Sequence, residues 1–239
     1  MTLKLLQGVI NMFFAGFQKL TLLDYPEKVA CILFTMGCNF RCPFCHNASL
    51  VRAENKAEIS EEEVLSFLKK RKGVMDGVCI SGGEPLLYDG LGDFIKKVKA
   101  LGYSVKLDTN GSLPEKLKAL VREGLVDYVA MDIKNSFESY DKTTGIKTDL
   151  NNIKESLAFL MSGAVEHEFR TTLVKELHTD EDMESIGKMI KGAKRYFLQN
   201  FVDSGDVLCD NMHPLTEDEL EKMMQIAKKY VPNTICRGM

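Results

Sequence analysis

At 239 residues, with 45% hydrophobic and 27% charged side chains, the chain has the makeup of an ordinary globular protein large enough for one sizeable α/β core. Its formal net charge of −3, with lysines and arginines scattered among acids, excludes the basic footprint of a nucleic-acid binder, and no apolar run reaches membrane-spanning length. Seven cysteines, an odd number with Cys38, Cys42 and Cys45 crowded into one short stretch, argue against a secreted disulfide framework and for a reducing cytoplasm.

Taken in order, Met1 to Asn11 is apolar but broken by Gln7 and Asn11, and only Lys4 supplies positive charge. It reads as an N-terminal extension, the product of a misassigned start codon, rather than a signal peptide, and leaves 12–239 as a single domain. Val29 to Thr35 is a buried strand, and the cysteine-rich loop follows at once. Ser60 with Glu63 forms a capping box ahead of Val64, Leu65 and Leu68 on one helical face. Further strands are expected at Gly77 to Ser81, Tyr103 to Asp108, Val126 to Asp132, Glu168 to Leu173 and Lys194 to Phe201. Between and after them run helical stripes: Leu91, Phe94, Ile95, Val98 and Leu101; Leu117, Leu120 and Val121; Ile153, Leu157 and Leu160. Two more carry Met183, Ile186 and Ile190, then Leu220, Met223, Met224 and Ala227, capped by Thr179 with Asp182 and Thr216 with Glu219. Six strand-then-helix units predict a parallel sheet with crossover helices. Periodicity does not separate a partial barrel from an open doubly wound sheet.

Cys38-x3-Cys42-x2-Cys45, kept out of regular helix by Pro43, can aim three thiolates at one object. A 4Fe–4S cluster takes four ligands, so three local cysteines leave one iron open to a substrate. The alternative is a zinc site closed by His46, but closed zinc sites usually bring ligands in separated pairs. Parallel α/β sheets bind ligands at the C-terminal ends of their strands, and polar motifs recur there: Ser81-Gly82-Gly83-Glu84-Pro85, Asp108-Thr109-Asn110-Gly111 and Asp132-Ile133-Lys134. Each read alone is also a tight turn, and Arg170 is also readable as a buried arginine paired with a helix acid. Cys31 and Cys79 read as small core residues, Cys209 and Cys236 as isolated thiols without an assigned role, and His167 and His178 as surface residues.

The cysteine spacing, with Phe44 before the last cysteine, resembles the signature of the radical S-adenosylmethionine (AdoMet) superfamily. Cys45-His46-Asn47, Asp108-Thr109-Asn110-Gly111 and the lead-in from Gly16 to Pro26 (Gly-Phe-Gln-Lys-Leu-Thr-Leu-Leu-Asp-Tyr-Pro) resemble the activating enzymes of glycyl-radical enzymes. The lead-in is most like the activating proteins of anaerobic ribonucleoside-triphosphate reductases, with pyruvate formate-lyase activating enzymes as the nearest relatives.

The resemblance implies a partial (β/α)6 TIM-like barrel, one 4Fe–4S cluster on Cys38, Cys42 and Cys45, and AdoMet beside it. The cofactor would meet Phe44, Asn47, Gly82, Gly83, Glu84, Asp108, Asn110, Lys134 and Arg170, with Lys134 facing its carboxylate and the Gly-Gly-Glu-Pro segment its ammonium. A monovalent cation is implied at Asp108, Thr109 and Asp132, and contact between Asp24 and the incoming glycine loop. The implied reaction is reductive cleavage of AdoMet and hydrogen abstraction from a glycine of a partner enzyme, first the anaerobic ribonucleotide reductase catalytic subunit, with a flavodoxin- or ferredoxin-like reductant. Activation of pyruvate formate-lyase or another glycyl-radical enzyme, radical chemistry on a small molecule, and a non-catalytic iron–sulfur electron carrier are the alternatives. The late-strand histidine of the pyruvate formate-lyase group has no counterpart, because Gln199, Asn200 and Phe201 stand there and His213 lies beyond.

Overall fold

The computed structural model describes residues 12–52 and 58–237, so the N-terminal extension expected at 1–11 lies outside the described residues. The elements run β1 (Phe13–Phe14), β2 (Gly16–Thr21), β3 (Ala30–Thr35), α1 (Ala48–Val51), β4 (Ile59–Ser60), α2 (Glu61–Lys70), β5 (Gly77–Gly82), α3 (Leu91–Ala100), β6 (Ser104–Thr109), α4 (Pro114–Arg122) and β7 (Tyr128–Asp132). They continue with α5 (Tyr140–Thr144), α6 (Leu150–Met161), β8 (Glu166–Leu173), α7 (Asp180–Met189), β9 (Tyr196–Asn200), α8 (Glu217–Lys228) and β10 (Thr234–Arg237). Thr179 and Thr216 complete reciprocal capping boxes with Asp182 and Glu219, and Ser60 Oγ accepts the Glu63 amide, each cap contributing about 1 kcal/mol.

The main sheet has the order β10-β9-β8-β7-β6-β5-β3-β2, parallel throughout except for the β2–β3 pair. A doubly wound sheet reverses its strand order at a switch point. Here β3 to β10 follow sequence order without reversal, and crossovers of one hand then put the helices on a single face. The result is an open partial barrel. Because side chains alternate across a strand, one face carries the register row Leu33, Ile80, Leu107 and Val129, which joins Val64, Leu68, Phe94, Leu117, Ile153, Ile186 and Leu220 in the buried core. The opposite face is polar near the strand ends and is sealed lower down by Tyr25, Ala30 and Tyr128.

Four strands were not expected. β1, β2, β4 and β10 are short or half-exposed, and such strands carry no apolar run to betray them. The histidine expectation is corrected: His167 and His178 are 5% and 4% exposed. His167 Nδ1 donates to the Val165 carbonyl, while His178 Nδ1 accepts the Val174 amide at 3.1 Å and its Nε2 donates to the Lys134 carbonyl at 2.9 Å. Those partners are backbone groups, which side-chain spacing does not reveal.

Candidate active site

The Cys38–Cys45 loop leaves β3 and is held by the ends of several other strands. Gly37 N–H donates to the Leu50 carbonyl, the Glu84 amide donates to the Gly37 carbonyl at 2.9 Å, and the Arg41 amide donates to the carbonyl of Thr144, the last residue of α5. Asn39 Nδ2 donates to Ser112 Oγ at 2.8 Å. From beyond β9, the Cys209 amide donates to the Pro43 carbonyl, and Asp206 accepts from the Ala48 and Ser49 amides and from Ser49 Oγ. Glycine is required where the loop crosses β5: a Cβ on Gly83 would stand 1.8 Å from the Gly37 carbonyl oxygen, and one on Gly82 2.3 Å from the Thr35 nitrogen.

These contacts close one cavity at the C-terminal ends of the strands. Cys38, Cys42 and Cys45 line it together with Phe44, His46, Asn47, Gly82, Gly83, Asp108, Thr109, Asn110, Asp132, Lys134, Arg170 and Asp24. Burial pushes the Cys42 thiol up to about 12 and raises Cys38 as well, so ligation there releases protons that the free protein holds firmly. Among the described residues no three His, Cys, Asp or Glu side chains converge on a single ion. Three thiols on one cavity wall, with no fourth, fit a cluster whose cysteines bind separate irons. The His46 ring instead lies against Phe201, with centroids 5.4 Å apart, and burial followed by the Lys134 charge holds its pKa below the ordinary histidine value.

The same cavity is lined by an ionic ladder. Lys134 Nζ donates to Asp132 Oδ2 at 3.0 Å, Arg170 Nε to Asp132 Oδ1 at 2.9 Å, and Arg170 Nη1 to Asp108 Oδ2 at 3.1 Å. Burial by itself would raise Asp108 and Asp132, yet Arg170 with the neighbouring lysines holds both below the usual carboxylate range. Burial would likewise strip Lys134 of its proton, but Asp132 outweighs it and the ammonium is retained. Arg170 thus sits on the cavity and is paired at the same time, with strand-end acids rather than a helix acid.

Glu84 departs from expectation. It is fully buried and absent from the cavity wall, its carboxylate accepting from Thr109 Oγ1 at 2.8 Å and from the Asn110 and Leu86 amides at 2.7 and 3.1 Å. Three donors on adjacent elements turn it inward as a strut between β5 and β6, and burial still pushes its pKa up to about 7. Asn110 completes the wall, donating to Asn39 Oδ1 at 2.9 Å, with its Nδ2 3.8 Å from Cys38 Sγ.

The cavity also includes Phe40, Val51, Ser81, Thr172 and Gln199, which motif reading did not single out as site residues. Thr172 follows Arg170 by two on β8, and Lys106 precedes Asp108 by two on β6. Period-two alternation from a known site residue would have found both. Cys31 and Cys79 are buried, Cys236 is half-buried, Cys209 is exposed, and His213 lies outside the cavity against Glu176.

A parallel sheet in barrel order, with three loop cysteines and an ionic ladder lining one cavity at its C-terminal mouth, defines a class, and the sequence comparison agrees: the chain belongs to the radical SAM superfamily, whose family profile matches residues 32–190. A glycyl-radical enzyme activating enzyme, by its assigned name, from Methanocaldococcus jannaschii is 34% identical over 233 residues, covering 93% of this chain and 95% of that one. The pyruvate formate-lyase-activating enzyme of Listeria monocytogenes is 36% identical over 113 residues, 43% of this chain and 46% of its own. In fold, the chain is similar to the crystal structure of Streptococcus suis SuiB bound to S-adenosylmethionine, with a TM-score of 0.69 at 14% identity, over 87% of this chain and 49% of that one. Its family place is therefore with the radical SAM enzymes that activate glycyl-radical enzymes. No described helix is long and apolar enough to cross a membrane.

Proposed function

We propose that this chain installs a glycyl radical on a partner enzyme, and that the partner is the catalytic subunit of an anaerobic ribonucleoside-triphosphate reductase. The observation that supports it most is the shared cavity: the three cysteines and the Lys134–Asp132–Arg170 ladder line one space at the mouth of the barrel. Cys38, Cys42 and Cys45 would hold the cluster, and Lys134 and Arg170 would face the AdoMet carboxylate. Gly82 and Gly83 bring backbone rather than side chain to the cavity edge, where an ammonium can meet carbonyl oxygens. When bound, the two cofactors supply reductive cleavage of the AdoMet sulfur–carbon bond and a 5′-deoxyadenosyl radical.

The chain's own part is to hold these groups in register and to keep water away. Phe40, Phe44 and Val51 give the cavity its apolar side, and the loop clamps from β5, β6, α5 and Asp206 fix the thiols relative to the strand ends. Asp24 stands on the cavity in a turn whose Thr21 hydroxyl donates to it, within reach of an entering peptide loop. The lead-in from Gly16 to Pro26 and Cys45-His46-Asn47 support a protein glycine as target, and the preference for the reductase rests on the lead-in. A flavodoxin- or ferredoxin-like protein is the proposed reductant.

The test is anaerobic mixing of the reconstituted protein with the reductase subunit, AdoMet and reductant. A glycyl doublet in electron paramagnetic resonance that depends on Cys42, with deuterium passing from labelled partner glycine into 5′-deoxyadenosine, is the expected result. Label transfer from pyruvate formate-lyase alone would move the assignment to that partner. Cleavage of AdoMet with transfer from neither would overturn the protein-substrate reading.

A further inference from the structure

We propose that this chain uses its own side chains in place of a bound monovalent metal ion: the buried Lys106 ammonium, together with the Arg170 guanidinium, neutralises Asp108 and Asp132, so that AdoMet binding needs no added potassium or sodium. The proposal rests on the AdoMet-binding reading of the cavity and is independent of which protein receives the radical. The cation implied by resemblance at Asp108, Thr109 and Asp132 finds each of its oxygens engaged elsewhere.

Asp108 Oδ1 accepts from Lys106 Nζ at 2.8 Å, and its Oδ2 from Arg170 Nη1 at 3.1 Å. Both Asp132 oxygens are likewise taken, by Arg170 Nε at 2.9 Å and Lys134 Nζ at 3.0 Å. The Thr109 hydroxyl donates to buried Glu84 at 2.8 Å and accepts the Gly111 amide at 3.2 Å. Each carboxylate oxygen keeps a second lone pair, but a metal cation using it would sit against the ammonium or guanidinium already bonded there and meet like charge at close range.

The fold explains why a lysine can stand here. Lys106 and Asp108 are two apart on β6 and share its inner face, and Lys106 is 1% exposed. Across the sheet Asp108 registers with Ala130 of β7, which registers with Glu168 of β8. A methyl group at the intervening position leaves room for Lys106 to approach Glu168 to 3.7 Å and for Arg170 to cross to Asp108. Arg237 Nη1, on β10, is 3.9 Å from the same Glu168. Three cations, Lys106, Lys134 and Arg170, are bonded directly to the two carboxylates Asp108 and Asp132, so a metal cation there would meet like charge.

The experiment measures AdoMet binding to the reconstituted, unreduced protein in tetramethylammonium buffer, with and without about 0.1 M potassium at matched ionic strength. Wild-type affinity should stay within about twofold, and Lys106→Met should lose about tenfold without potassium and recover with it. Thallium(I) magnetic resonance supplies a second readout: no AdoMet-responsive bound signal in the wild type, one in Lys106→Met. Lys106→Arg, which keeps the charge, should remain insensitive to potassium. If Lys106→Met does not fold, the wild-type and Lys106→Arg arms still decide. A wild-type affinity that rises about tenfold with potassium, or a bound thallium signal in the wild type, overturns the proposal. So does a folded Lys106→Met that keeps wild-type affinity without potassium. A protein that fails to activate any glycyl-radical enzyme leaves these binding results untouched.

Discussion

Gly83→Ala isolates the contact between the cysteine loop and the sheet. The added Cβ would meet the Gly37 carbonyl oxygen at 1.8 Å and its carbon at 2.5 Å, whereas real Cβ contacts essentially never fall under 3.0 Å. Both partners are backbone, so one must move by more than about 1 Å, and the Glu84 amide bond to the Gly37 carbonyl, now 2.9 Å, is lost. A broken buried hydrogen bond costs about 1 kcal/mol and overpacking about 1–3 kcal/mol, so the variant should lose about 2–4 kcal/mol. Gly37 adjoins Cys38, so AdoMet affinity of the reconstituted protein should fall as well. Urea unfolding of the reduced apoprotein and an AdoMet titration measure the two effects. Gly92→Ala is the control, because that helical position has only Leu120 Cδ2 at 3.4 Å and Leu125 Cδ1 at 4.0 Å in contact range and gains helix propensity. A Gly83→Ala protein within about 0.5 kcal/mol of wild type that also binds AdoMet normally would refute the reasoning.

Single Cys38→Ala, Cys42→Ala and Cys45→Ala variants should lose the broad visible absorption of the reconstituted cluster, while Cys209→Ala and Cys236→Ala keep it; retention in any of the first three sinks the ligand set. Burial holds the His178 imidazole below its ordinary pKa, so its contribution is complete above about pH 6.5, the unfolded value, and is lost as pH falls below it, by up to about 1.4 kcal/mol per unit. Glu84, raised to about 7, works in the opposite direction over the same window, so the readout is a difference: between about pH 7.5 and 5.5 the wild-type urea midpoint should fall relative to that of His178→Gln, and parallel pH profiles for the two proteins would contradict this. Asp206→Ala removes the carboxylate that accepts from the Ser49 amide and hydroxyl, and should cost about 1–2 kcal/mol and hasten cluster loss to a chelator, with Asp206→Asn intermediate. Equal chelation rates in all three proteins would show that this clamp does not hold the loop.

The sequence by itself determined the alternation of strands and helices, the caps at Ser60, Thr179 and Thr216, and the placing of the cysteine loop and three polar motifs at strand ends. All of these depend on groups within a few residues of one another, through period, capping reach or motif spacing. What only the tertiary structure decided depends on groups far apart in the chain. Strand order without reversal made a partial barrel out of units that a doubly wound sheet would also use. Register across the short Ala130 placed Lys106, Asp108, Glu168 and Arg170 in one ladder, and three donors from β6 and the turn after β5 drew Glu84 away from the cavity it was expected to line. Backbone partners buried two histidines that looked free to be on the surface. Local patterning says which face a side chain occupies, and the pairing of distant strands fixes which side chains meet there.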